Sequence, residues 1–173
     1  GKIMKKSKIK SILACAVLAS VMAVGNVAMA LTKKTPEASG QYSYAVYWGE
    51  NAQVENSYAT AFGYQTTASG QYSTAWGYYV AASGYSSTAW GYADASGDYS
   101  TAWGSAAASG DYSTAWGRGT EASGYGATAW GGYFSGSTYE KGGIASGNAS
   151  TAFGVMTQAL GTVSTAWGYS TIA

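Results

Sequence analysis

Asp98 and Asp111 occupy the same place in two copies of one phrase, ASGDYSTAWG, thirteen residues apart. Two carboxylates held at short range are the machinery of glycoside hydrolysis and are also ligands for calcium. The neighbouring copies of the phrase put Gln71 and Tyr85 in that place, so the pair reads as a feature of two turns and not as the edge of a pocket. The chain has no His, and its single Cys, Cys15, lies in the first thirty residues. That removes the commonest general base, a thiol nucleophile and most zinc sites. No enzymatic activity, metal or cofactor is expected.

The side chains that do recur are aromatic. A first row is Phe62, Trp76, Trp90, Trp103, Trp116, Trp130, Phe153 and Trp167. Each follows Thr-Ala and precedes Gly. A second row is Tyr58, Tyr72, Tyr99 and Tyr112, two residues before the Thr, with Tyr85 and Tyr125 three before it. Tyrosine at turns serves recognition, being rigid and amphipathic, and it also stacks between neighbouring strands. Both readings stand for Tyr72, Tyr99 and Tyr112. Tyr133, Phe134 and Tyr139 sit in a Gly/Ser-rich insertion, which reads either as a binding loop on a rigid scaffold or as a tolerated insertion without function. The Thr row itself could order water, as on ice-binding solenoids, but every Thr alternates with a bulky ring on the same face. Sugars stacking on exposed Trp and Tyr are a further alternative.

These rows need elements that bring them into line. The phrase Thr-Ala-aromatic-Gly starts at Thr60, Thr74, Thr88, Thr101, Thr114, Thr128, Thr151 and Thr165, in steps of 13 or 14 with one of 23. Ala-Ser-Gly interleaves with it at Ala68, Ala82, Ala95, Ala108, Ala122 and Ala145. A fixed short period is the mark of a solenoid, in which each repeat is one coil. Residues alternate in Ser73-Thr74-Ala75-Trp76-Gly77, small on one face, Thr and Trp on the other, as in a strand. Two short strands and two turns per repeat predict an all-β, β-solenoid fold of about eight coils, stacked at about 4.8 Å. The interior of so short a coil admits only the small face (Ser73, Ala75 and Gly77, with Ala68 and Gly70), so the rings point outward. The inverted arrangement would need a wider coil.

Length changes all fall between Trp-Gly and Ala-Ser-Gly, including an insertion over residues 132–144. That junction is predicted to be a turn. An outward aromatic row would present well over about 1,000 Å² of apolar surface, at on the order of 150–250 Å² per ring, where monomers rarely expose more than about 600 Å². Self-association around an axis, one patch repeated on every chain, is the expected cover.

Five of the nine basic residues lie in the first ten positions, followed by an apolar run ending Ala28-Met29-Ala30. This is the layout of a signal peptide over residues 1–30, with Ala28 and Ala30 at the cleavage site. The expected start is Met4. Gly25 and Asn26 interrupt the run, against a membrane anchor, and Cys15 is too near the basic segment for a lipoprotein site. Beyond residue 30, four basic residues face eight acids, a net charge of −4 with no basic surface for nucleic acid. Residues 31–54 read as a linker and a degenerate first coil, and 55–173 as the repeats.

With Ala108, Gly110, Ser113, Ala115 and Gly117 in place and Trp116 at the variable apolar position, the phrase resembles the head repeat of trimeric autotransporter adhesins, the YadA-like head. The likeness recurs through roughly residues 55–170. It implies a left-handed parallel β-roll, a homotrimer and an exported protein of the bacterial cell surface or outer membrane. It also implies attachment to host matrix, cells or abiotic surfaces, with a role in virulence. Trp or Phe stands where that family usually has an aliphatic residue. The family's neck, stalk and membrane β-barrel are not in this sequence, so contact with the membrane would run only through an anchor outside it.

Overall fold

The computed structural model describes residues 45–135 and 138–173. The expectations for a signal peptide ending at Ala28 and Ala30 and for a linker after residue 30 lie outside the described residues.

Every Thr-Ala-aromatic-Gly phrase forms a strand, because its alternating small and bulky residues fit a pleated surface with one narrow face. The first turns of the solenoid hold β1 (Val46–Trp48), β2 (Gln53–Val54), β3 (Thr60–Ala68), β4 (Thr74–Ala82), β5 (Thr88–Gly91) and β6 (Asp94–Ala95). Then come β7 (Thr101–Ala108), β8 (Thr114–Ala122), β9 (Thr128–Gly131), β10 (Tyr133–Ser135) and β11 (Thr138–Glu140). The last coils contain β12 (Ile144–Ala145), β13 (Thr151–Val155), β14 (Gln158–Ala159) and β15 (Thr165–Tyr169). The backbone of the stack runs β1-β3-β4-β5-β7-β8-β9-β13-β15, all parallel. Register is strict. Thr74 lies beside Thr60 and Thr88, Trp76 beside Phe62 and Trp90, Gly77 beside Gly63 and Gly91. The described residues are therefore an all-β parallel solenoid, without helix. The degenerate coil also joins, Val46 pairing with Thr60 and Val54 with Ala68.

The small face points inward. Ala61, Ala75, Ala89, Ala102, Ala115, Ala129 and Ala152 are fully buried, and so are Ala68, Ala82, Ala95, Ala108, Ala122, Ala145 and Ala159 from the returning segments. Val80 is the largest fully buried side chain. With so little apolar bulk per coil, hydrophobic burial alone is thin. Cohesion comes from the backbone ladder between coils, with N–H to C=O bonds such as Thr74 N to Ser87 O at 2.9 Å and Ser96 N to Ala108 O at 3.0 Å.

A turn of the form Gly-x-x-Ser closes most coils, with Ala127 in the place of Ser after Gly124. The Ser N–H donates to the Gly carbonyl, as in Ser73 to Gly70, Ser100 to Gly97 and Ser113 to Gly110. The second central residue takes a left-handed conformation, with φ near 60° at Tyr58, Tyr72, Tyr99 and Tyr112. Where the Tyr moves one position earlier, to Tyr85 or Tyr125, Ser86 or Gly126 takes that conformation instead. The Gly that opens the turn is required by the neighbouring coil. A Cβ on Gly97 would lie 2.1 Å from the Gly110 carbonyl oxygen.

The second bend is the predicted turn, but the sheet does not stop at it: the strand continues through it in β3, β4, β7 and β8, and breaks there between β5 and β6 and between β13 and β14. The direction changes at a Gly such as Gly77, φ 136°, and at a second left-handed residue two positions on: Gln65, Tyr79, Gly119 or Met156. The two 13-residue coils lack that left-handed residue: Gly91-Tyr92-Ala93 and Gly104-Ser105-Ala106 cut straight across. Pairing between β7 and β8 resumes after a one-residue shift at Ser105/Ala106. The length change is absorbed by a corner of the hydrogen-bonded sheet, not by a free loop. The 132–144 insertion leaves at the same corner as an antiparallel hairpin, β10 against β11, with Phe134 paired to Tyr139 in register.

Two glycine substitutions separate close stacking from backbone strain. Gly97→Ala is expected to cost at least about 4 kcal/mol, since backbone must move to admit the methyl group. Gly126→Ala, at φ 64° with nothing within 4 Å, is expected to cost only about 1 kcal/mol of left-handed strain. Urea unfolding of the two variants checks the difference.

Candidate functional site: two aromatic columns and a recess

Because register is strict, each recurring ring falls on its equivalent in the next coil. The Trp row forms an outward column on the face opposite the buried Ala. Trp90, Trp103, Trp116, Trp130 and Phe153 stack with centroids 4.8–5.0 Å apart and planes within 12° of parallel. Trp167 continues the stack at 6.0 Å from Phe153. At the other end Trp48 meets Phe62 edge to face. Trp76 is 66% exposed and among the described residues has no ring partner. An apolar cleft of about 630 Å³ separates it from Trp90. Stacked rings cover each other's faces, so the column exposes less area than eight isolated rings would; Trp103, Trp116 and Trp130 are only half-exposed. The Thr residues form a row of their own beside the rings, mostly half-buried.

A second column runs along the turn. Tyr58, Tyr72, Tyr85, Tyr99, Tyr112 and Tyr125 follow one another at centroid distances of 4.9–5.6 Å. The one-position shift of Tyr85 and Tyr125 leaves the column unbroken and turns those contacts from parallel to edge-on or tilted. Tyr72, Tyr99 and Tyr112 stack as the ladder reading expected, and they are exposed as well. Tyr133, Phe134 and Tyr139 lie on the β10–β11 hairpin, away from either column in sequence register.

Asp98 and Asp111 have a structural task. Asp98 accepts a hydrogen bond from Tyr85 N at 2.8 Å, and Asp111 accepts one from Asp98 N at 3.0 Å. Asn148 does the same for Tyr125 N. Each side chain supplies an acceptor to a turn N–H of the coil before it. Among the described residues no group of three or more Cys, Asp or Glu is placed to hold a metal ion.

A third feature was not read from the sequence. The two short corners leave a shallow recess of about 600 Å³ on the face beyond the Gly corner. Tyr79 and Tyr92 stand at one end and Lys141 at the other, with Asp94 and Glu121 between them. Desolvation holds Asp94 above the usual carboxylate range. The signal was present in the steps of 13, but a missing residue shows what it uncovers only once the neighbouring coils are laid beside it.

Two titrations follow. Desolvation, then the neighbouring rings Tyr85 and Tyr112 and the Asp98 charge, raise the Tyr99 phenol. Desolvation, then Tyr79 and Tyr92, raise Tyr78. A raised phenol favours the neutral form in the fold, so stability is kept below the ordinary phenol value and lost as pH rises above about 10. Absorbance titration at alkaline pH is expected to show a late phase that disappears in the Tyr78→Phe/Tyr99→Phe variant. Asp94 is likewise raised, so its stabilising share is full below the unfolded value and is lost as pH rises through the folded one. Asp94→Asn is therefore expected to raise Tm at pH 7 and leave it unchanged near pH 3, as thermal melts would read.

A family model described as the YadA head domain repeat (2 copies) matches residues 55–79, 108–133 and 145–173. No curated protein matches the chain. The three matched segments lie in the same solenoid, share its ladders of Ala, Ser and Gly, and flank the coils that carry the same phrase between them. The repeats of this chain form a YadA-like head domain, an adhesin-type module of exported cell-surface proteins.

Proposed function

We propose that the chain is the head of a homotrimeric adhesin, exported by a signal peptide over residues 1–30 and displayed at the bacterial outer membrane. Three solenoids pack through the column Phe62, Trp76, Trp90, Trp103, Trp116, Trp130, Phe153 and Trp167. The Tyr column, with Tyr72, Tyr99 and Tyr112, and the hairpin with Tyr133, Phe134 and Tyr139 then face host matrix, cells or abiotic surfaces. The single observation that carries this reading is the outward Trp column, with Trp76 and Trp167 each 66% exposed on one side of a rod whose own interior is filled by Ala. Contiguous apolar surface of this kind marks an interaction site, and a closed ring covers it with one repeated contact. Attachment would come from many weak contacts multiplied by coils and chains, without chemistry.

Light scattering on residues 31–173, with Trp emission read on the same sample, tests it. A mass three times that of one chain with blue-shifted emission is expected. Trp103→Ala/Trp116→Ala is expected to weaken association by at least about 2 kcal/mol and to lower binding to matrix-coated surfaces. A stable monomer with red-shifted emission would overturn the interface and favour sugars stacking on exposed Trp.

A further inference from the structure

The recess beyond the Gly corner has a physical origin in two coils. β5–β6 and β7 each omit the left-handed corner residue that Tyr79 and Gly119 supply in the coils on either side. Their inward positions are also small: Ala93 and Ala106 stand where Val80 and Thr120 stand in the flanking coils. A strip two coils wide is therefore lowered, and its floor is touched by solvent, with Ala93 5% and Ala106 6% exposed.

The groups around this floor are unlike those on the two columns. Tyr92, 57% exposed, and Tyr79, 46% exposed, form an aromatic wall with centroids 6.1 Å apart and tilted planes. Asp94 and Glu121 both project outward on the strip, in register through Ala107 and so roughly 10 Å apart. Neither carboxylate accepts a hydrogen bond and Lys141 makes no ion pair among the described residues. Acceptors, a donor and a ring wall thus meet over an apolar floor, in a space within the usual range of small-ligand sites.

We propose that this recess binds a neutral mono- or disaccharide, with Tyr92 packed against the sugar's C–H face and Asp94, Glu121 and Lys141 bonded to its hydroxyls. A sugar fits both halves of the lining: its C–H face suits a ring, and its hydroxyls donate to carboxylates and accept from an ammonium group. A basic peptide fits less well, because Lys141 closes one end with a like charge. The desolvated Asp94 gains donors on binding. The proposal rests on the adhesin reading for its biological use, since it names what one face of the head would hold, but the site stands apart from the Trp column.

Saturation-transfer NMR on the full chain, with glucose, galactose, N-acetylglucosamine, lactose and cellobiose as probes, tests it. Transfer to at least one sugar is expected. Ala107→Trp, whose side chain projects outward into the recess, is expected to abolish it with the circular dichroism spectrum unchanged. Tyr92→Ala is expected to weaken it about tenfold, and Val163→Ala, on an exposed side chain outside the recess, to leave it unchanged. No transfer to any of the five sugars overturns the proposal, as does transfer that survives Ala107→Trp and falls with Trp76→Ala. Binding of a hexa-arginine peptide that Asp94→Asn abolishes, with no sugar bound, also overturns it. Sugar binding absent while the trimer and surface attachment persist removes the recess alone. Sugar binding present in a monomer that attaches to nothing removes the adhesin reading alone.

Discussion

Everything in this fold depends on how closely consecutive coils approach. The ladder of N–H to C=O bonds sets the spacing, and the spacing tolerates little between the backbones. At Gly97 even a methyl group would meet the next carbonyl at 2.1 Å, and Gly84, Gly110 and Gly124 are in the same position. The sheet and turn are therefore held by backbone contact, with Ala and Ser filling what little room the coil encloses. Bulky residues have nowhere to go but out. The aromatic columns are as much a consequence of the narrow interior as a functional choice.

Strict register has a second effect. In most sheets cross-strand neighbours differ and their pairing is a matter of local fit. Here the neighbour of each residue is its own equivalent, so any preference is multiplied along the rod. Trp stacks on Trp and Tyr on Tyr, and a turn acceptor such as Asp98 finds the same backbone N–H in the coil before it that Asp111 finds. The left-handed Tyr residues at the turn are individually strained; stacking with the rings above and below offsets part of that cost.

Much of this was legible in the sequence because the signal is repetitive. The alternation in Ser73-Thr74-Ala75-Trp76-Gly77 identifies the strand and which side is small, and the period gives the coil. The second bend was read as a turn, and the chain does change direction there; what the sequence did not show is that Tyr79 and Gly119 keep it within the hydrogen-bonded sheet by adopting left-handed backbone, a conformation with no clear mark in residue type. Stacking along the Tyr row was among the readings, Tyr85 and Tyr125 included; that their one-position shift turns those contacts edge-on or tilted was not, since it depends on ring reach rather than on spacing. The recess around Asp94 and Glu121 was not seen for a related reason: it is defined by atoms that two coils lack.

The corner between the Trp and Asp94 faces separates two kinds of change. A residue lost there leaves every ladder intact, as the step from 14 to 13 shows, while a residue lost within Thr-Ala-Trp-Gly would send Ala outward and Trp inward in that coil. Copying errors in a repetitive gene are thus sorted by where they fall. Those at the corner reshape one face of the rod and are inherited as new relief on an unchanged frame, so lineages can diversify what this face presents without renegotiating how the chain folds.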